Sequence, residues 1–181
     1  MSHLCVYHSS SPKQPVKLLN HLEDISSALA EIGVRFERWQ ANQPITAQST
    51  TEEVLAAYRD DIERLKQEGG YVAVDVISVD EQHPQKTELR AKFLEEHTHN
   101  EDEVRFFVAG RGLFNLHVDE QVYSVLCERG DLISVPAGAK HWFDMGEHPR
   151  FTAIRLFNNP EGWVAHYTGD TVTALYPLLE D

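Results

Sequence analysis

The stretch that decides how this chain is read is EEHTHNEDEVRFFVAG, residues 95–110. His97 and His99 are two residues apart, so on an extended backbone both imidazoles leave the same face. Glu103 shares their parity, yet on an unbroken strand, at roughly 3.3 Å per residue, it would lie about 20 Å from His97. Bonds from nitrogen or oxygen to a metal ion are about 2 Å, so one ion is shared by all three only if the chain turns between them. Asn100-Glu101-Asp102 is suitable turn chemistry. We therefore expect His97-Thr98-His99 to end one strand, Glu103 to begin the next, and an ion to sit over the bend.

A fourth ligand is offered by GDLISVPAGAKHWFDMG, residues 130–146, where Pro136 and Gly138 break a strand just before His141. Three imidazoles and one carboxylate suit a first-row divalent ion such as Fe, Ni, Mn, Co or Zn. Four protein ligands on an octahedral ion leave two positions for water or a chelating substrate, whereas a structural zinc site is closed at four. A lone HxH or a lone glutamate carries little weight; the spaced combination is what points to a metal. His3, His8, His21, His83, His117, His148 and His166 lack such context and are read as ordinary surface or core histidines.

Outward from this centre, short alternating runs are divided by turn residues. EVRFFVAG (103–110) leads through a turn at Arg111-Gly112 into LFNLHV (113–118). Asp119-Glu120 turns into QVYSVLCE (121–128), and Arg129-Gly130-Asp131 into LISV (132–135). FTAIRLF (151–157) and WVAHYTG (163–169) follow, and YVAVDVISV (71–79) precedes the motif. Closely spaced strands of this kind predict a mainly β fold, a small antiparallel barrel or jelly roll with a few N-terminal helices packed outside. The mouth of such a barrel is a natural ligand site.

The helices are legible in the first third. Leu22, Ile25, Leu29 and Ile32 recur at helical spacing, with Asn20 as N-cap and Gly33 as stop. Thr50 and Glu53 form a capping box ahead of Val54, Tyr58, Ile62 and Leu65, in one helix that Gly69 ends. VRFERWQ (34–40) alternates like a half-buried strand, and QKTELRAKFL (85–94) reads as a short helix. The whole is expected to be a single domain, residues 1–181, with an extension over 1–70 and a barrel core over 71–170.

With 29 acidic against 16 basic residues the formal charge is −13, spread along the chain. Such a surface repels phosphate backbones and anionic membranes, so nucleic-acid and membrane partners are not expected. No apolar run approaches the roughly 20 residues of a membrane span, and the first residues lack a signal-peptide pattern. Cys5 and Cys127 stand far apart and are read as small buried hydrophobes in a reducing cytoplasm. A monomer is expected.

The spacing His97-x-His99-x3-Glu103-x6-Gly110 resembles the first cupin motif, and Gly130-x5-Pro136-x-Gly138-x2-His141 the second. Ala91 stands where a glycine usually precedes the first motif, and Met145 where an asparagine often ends the second; neither is a ligand position. More specifically, VRFERW (34–39), HPQKTELRAKFLEEHTHNEDEVRFFVAGRGLF (83–114), DLISVPAGAKHWFDMG (131–146) and NPEGWVAHYTGD (159–170) resemble the acireductone dioxygenase family of methionine salvage. The resemblance implies one Fe(II) or Ni(II) per chain on His97, His99, Glu103 and His141. It implies a substrate, 1,2-dihydroxy-3-keto-5-methylthiopentene, that reacts with O2. The Fe form would give formate and 2-keto-4-methylthiobutyrate, the Ni form formate, carbon monoxide and 3-methylthiopropanoate.

Parity extends the list of site residues. Arg105 and Phe107 share Glu103's side of their strand, and Phe143 shares His141's. A guanidinium beside the ion would favour an anionic substrate, and the family resemblance also gives an arginine here the task of generating the dianion. Phe93, Phe107, Phe114, Phe143 and Trp163 are candidates to contact the methylthio arm. Glu96 and Asp102 have the opposite parity and are read as aids to metal loading, as acceptors orienting ligand imidazoles, or as solvated carboxylates. The competing readings are another cupin oxygenase or decarboxylase, and a non-catalytic metal-binding cupin module. The blocks outside the two motifs favour acireductone dioxygenase over the former, and the lack of a basic helix-turn-helix counts against the latter.

Overall fold

In a computed structural model, which describes residues 1–180, two antiparallel sheets share one long strand. The chain opens with β1 (His3–His8) and β2 (Lys17–Leu19), passes through helix α1 (Leu22–Ala30), and forms β3 (Arg35–Arg38). Helices α2 (Thr51–Ala57) and α3 (Arg59–Gly69) lead into β4 (Ala73–Val79) and helix α4 (Lys86–Leu94). Then come β5 (His97–Thr98), β6 (Glu103–Val118), β7 (Gln121–Glu128), β8 (Asp131–Val135), β9 (Lys140–Asp144), β10 (Phe151–Phe157) and β11 (His166–Tyr167).

Strand β6 is the seam. Its first half pairs with β8 and β10, with Arg105 opposite Ile133 on one side and Arg155 on the other. Its second half pairs with β7 and β9, with Leu116 opposite Tyr123 and His141. Sequence predicts a turn at Arg111-Gly112, but the chain runs straight through as a 16-residue strand. It is re-aimed by a bulge, a register shift opposite Thr152/Ala153, with Gly110 at φ +72°. A Cβ at Gly110 would run into the Arg150 carbonyl, so glycine there permits both the conformation and the close approach.

The core between the sheets is built from Phe107, Phe114, Leu116, Ile133, Val135 and Phe143, closed at one side by Ile25 and Leu29 of α1. A second cluster covers the outer face of β6, β8 and β10. There Val54 of α2 and Ile62 and Leu65 of α3 pack on Val104, Phe106, Leu132 and Ile154. Both faces of β6's first half are thus buried: Val104, Phe106 and Val108 on one parity are apolar, while the other buries Phe107 together with the charged Glu103 and Arg105. A third cluster, Cys5, Tyr7, Val122, Trp142 and Tyr176, seats the C-terminal tail. Both cysteines are free and buried.

Some local expectations are corrected. Helix α1 begins after His21, not Asn20, and has no side-chain cap. The single helix expected after Thr50 has its capping box, but it breaks at Tyr58 (φ −118°, ψ 19°). Tyr58 is buried and meets Phe106 at 4.6 Å between ring centroids, so packing outweighs helical continuity there. Of WVAHYTG only His166 and Tyr167 pair as strand. The first strand, HLCVYH, escapes the sequence reading although it is a short apolar run.

Candidate metal centre

The turn at residues 100–102 falls where the spacing requires it, between β5 and β6. His97 lies directly opposite His141 across the β5–β9 pair, and Glu103 leads β6. The four side chains converge so that one donor atom from each lies within 4.8 Å of every other, and all are buried.

The hydrogen bonds dictate which imidazole nitrogen is free. Nδ1 of His97 is 2.6 Å from the Glu95 carbonyl, Nδ1 of His99 is 2.8 Å from that of Val164, and Nδ1 of His141 is 2.8 Å from that of Ala139. A carbonyl only accepts, so each Nδ1 donates and each neutral ring keeps its lone pair on Nε2. Nε2 of His99 and of His141 then lie 2.8 and 2.9 Å from the same oxygen, Oε2 of Glu103. Lone pairs facing a carboxylate oxygen repel unless a cation lies among them. Two ligand atoms at right angles on an ion with bonds of roughly 2.1 Å are about 3 Å apart, so the donor set fits a divalent ion.

Electrostatics favour the deprotonated form of two of the four, His97 and Glu103. Burial pushes the His97 imidazole down to about 4, helped by the neighbouring His141. Burial opposes the charged form of Glu103, but Arg105, His141 and His99 outweigh it and hold the carboxyl well below its usual range. His99 is also opposed by burial, and its bond and charge contact with Glu103 raise it overall.

Arg105 is 3% exposed. Its Nε lies 3.1 Å from Glu103 Oε1, a charge contact without hydrogen-bond alignment, and Nε and Nη1 have no hydrogen-bond partner. Burial lowers its pKa, partly offset by Glu103. An arginine stays protonated in a protein, so the site holds a desolvated cation with donors to spare. Phe143, Phe93, Trp163 and Phe114 surround that cation, with ring centroids 4.8, 5.3, 5.4 and 5.7 Å from its Cζ. Phe107 meets Phe114, Phe143 and Phe151 instead. Gly112 makes room for this cage, since a Cβ there would strike the Phe143 ring.

Glu96 and Asp102 do not orient the ligand imidazoles; the backbone carbonyls of Glu95, Val164 and Ala139 do, and no sequence pattern announces them. Nor is Glu96 solvated. It is 1% exposed, bonded to His117 Nδ1 at 2.6 Å and to the Thr168 hydroxyl at 2.8 Å. This makes His117 an unforeseen partner. Asp102 accepts from the Ala137 amide at 3.0 Å and from the Tyr71 hydroxyl at 3.3 Å, while its carbonyl accepts from Trp163 Nε1 at 3.1 Å. It therefore ties together the loops leading to Glu103, His141 and Trp163.

Comparison with known proteins bears on this geometry. The model of the ARD/ARD′ family matches residues 5–165. The chain belongs to the acireductone dioxygenase (ARD/ARD′) family. A family member, acireductone dioxygenase of Pseudomonas paraeruginosa, is 70% identical over 181 residues, the whole of both chains. That of Pseudomonas aeruginosa is 68% identical over the same length. A solved acireductone dioxygenase from Bacillus anthracis, with a cadmium ion in its active center, superposes with a TM-score of 0.80 at 33% identity. The match covers 92% of this chain and 98% of that one. The family membership makes the chain an enzyme, a metal-binding cupin dioxygenase of methionine salvage.

Proposed function

We propose that this chain cleaves acireductone, 1,2-dihydroxy-3-keto-5-methylthiopentene, with O2, using one Fe(II) or Ni(II) on His97, His99, Glu103 and His141. The observation that carries this reading is Arg105, a buried cation with unpartnered donors beside a four-donor metal site. A neutral ligand would offer those donors only ordinary acceptors; an anionic enediolate chelated at the metal would supply charge-assisted ones, which suit a desolvated cation. When bound, the divalent ion supplies Lewis acidity and a template for two substrate oxygens.

The chain's own groups do the rest. Arg105 stabilises the deprotonated enediol by opposite charge, and the aromatic cage holds water away so that this charge acts at low dielectric. Phe93, Phe114, Phe143 and Trp163 offer ring faces and edges to a thioether arm. Phe107 supports Phe114 and Phe143 from the core side. Glu96, in its bonds to His117 and Thr168, fixes the backbone just before His97, and Asp102 does the same before Glu103.

The test is to strip the protein, reload it with Fe(II) or Ni(II), and supply a desthio acireductone analogue under O2. The Fe form should release formate and the 2-keto acid, and the Ni form formate, carbon monoxide and the shorter carboxylic acid. No oxygen uptake with either metal, or the same products from both, would overturn the proposal.

A further inference from the structure

Trp163 is bonded to the site from inside and gripped from outside. Its indole donates to the Asp102 carbonyl at 3.1 Å, lies 6.2 Å from the His99 ring, and meets the Arg105 cation at 5.4 Å. The next residue, Val164, supplies the carbonyl that fixes His99 Nδ1. Yet Trp163 belongs to no helix or strand; it lies in the connection between β10 and β11.

A second guanidinium meets the same indole. Arg155 of β10 has its Cζ 5.6 Å from the Trp163 ring and 5.2 Å from Phe157, and Phe157 packs on Trp163 at 4.6 Å. Arg155 is directly opposite Arg105 in the β6–β10 ladder, a like-charge placement that would by itself be unfavourable. Asp75, opposite Arg155 on the other side, answers it with a two-pronged bond: Nε donates to Oδ1 at 2.8 Å and Nη2 to Oδ2 at 2.6 Å. The fork fixes the plane of the guanidinium as well as neutralising it. A cleft of about 420 Å³ is lined by Asp75, Arg155, Phe157, Pro160, Glu161 and Trp163 among others.

We propose that the Asp75–Arg155 pair is a positioning device that clamps the indole of Trp163 in place as a wall of the substrate pocket. Arg155 touches neither substrate nor metal ligand; it acts through Trp163. The ladder Asp75–Arg155–Arg105 lets a second cation approach the pocket without adding to the charge that Arg105 presents. Ordering the indole before substrate arrives lowers the cost of forming the complex, so the device should be seen chiefly in KM. The proposal rests on the reading of Trp163 as a substrate-pocket wall.

The experiment uses the full metal-loaded chain grown with 5-fluorotryptophan, its Trp163 fluorine resonance assigned by Trp163→Phe. In Arg155→Gln and Arg155→Lys alike, that resonance should broaden or move while those of Trp39 and Trp142 stay, because lysine keeps the charge but lacks the fork. KM should rise about fivefold in both variants with kcat within about twofold, and with metal content unchanged. Asp75→Asn, at a half-exposed position that tolerates the change, should give the same pattern and covers the case of an Arg155 variant that fails to fold. An unmoved Trp163 resonance in the folded variants overturns the clamp, as does full rescue by lysine. The fluorine readout needs no substrate, so a failed clamp is distinguishable from a mistaken substrate.

Discussion

Replacing Arg105 by methionine keeps most of the side-chain volume inside the aromatic cage and removes the charge. The guanidinium sits 3.1 Å from Glu103, so substrate oxygens bound beside that carboxylate would lie within roughly 5 Å of it. At that separation and an effective dielectric of about 20, the attraction for a unit negative charge is about 3 kcal/mol, or roughly two pKa units of the enediol. Turnover at a pH below the substrate's ionisation should therefore fall about a hundredfold in Arg105→Met, and recover tenfold per pH unit as the substrate ionises unaided. Metal content should stay, because the loaded ion replaces Arg105 as counter-charge to Glu103. The same substitution removes two buried donors without partners, each costing about 1–3 kcal/mol. If relief of that cost nets about 2 kcal/mol, Tm of the metal-loaded protein rises by about 4–8 °C, activity and stability moving in opposite directions. The assay is initial oxygen uptake across pH 6–9 alongside thermal unfolding. Wild-type turnover at neutral pH, or a deficit that does not shrink with pH, would refute the reasoning.

Other outcomes follow from the same geometry. His97→Ala or His141→Ala should lose the metal, read by elemental analysis, and full stoichiometry in both would count against the ligand set. In the stripped protein His97 is neutral when folded, at about 4, against an ordinary value near 6.5 when unfolded. The unfolded chain therefore takes up a proton first as pH falls, and the stability tied to neutral His97 is lost between about 6.5 and 4, up to roughly 3 kcal/mol. His97→Gln should flatten that part of the stability–pH curve in urea titrations. Cys127 is fully buried and its thiol is pushed well above the usual range by burial and by Asp131. It should therefore resist a thiol reagent at pH 8 until the chain unfolds, and rapid labelling of the native protein would contradict this burial.

What was legible in the sequence was whatever spacing alone determines. One residue between imidazoles, a polar tripeptide before Glu103, and Pro136 and Gly138 ahead of His141 settle the parity and the turns. Arg105 and Phe143 followed from the same alternation, and the structure places them 4.8 Å apart, cation over ring. Gly110-Arg111-Gly112 has turn composition, yet long-range pairing on both sides of β6 holds the chain extended. The break at Tyr58 was hidden for a similar reason: the helical pattern continues across it, and the contact with Phe106 that replaces it comes from 48 residues downstream. Nor could sequence announce a backbone carbonyl as the partner of an imidazole, since every residue carries one.

That last point bears on how the site is held. His97 and His141 take their carbonyl from two residues before, so each orients itself locally. His99 takes its carbonyl from Val164, 65 residues away and next to Trp163. A displacement of the Val164 backbone, unlike a movement of the Trp163 indole alone, therefore shifts the acceptor that keeps the His99 lone pair on Nε2. Asp102 adds a second link, because its carbonyl holds the indole while its carboxylate holds the loop leading to His141. The Trp163–Val164 segment and the donor set are thus joined through His99 and Asp102. An imidazole oriented only by its own strand would make no such link.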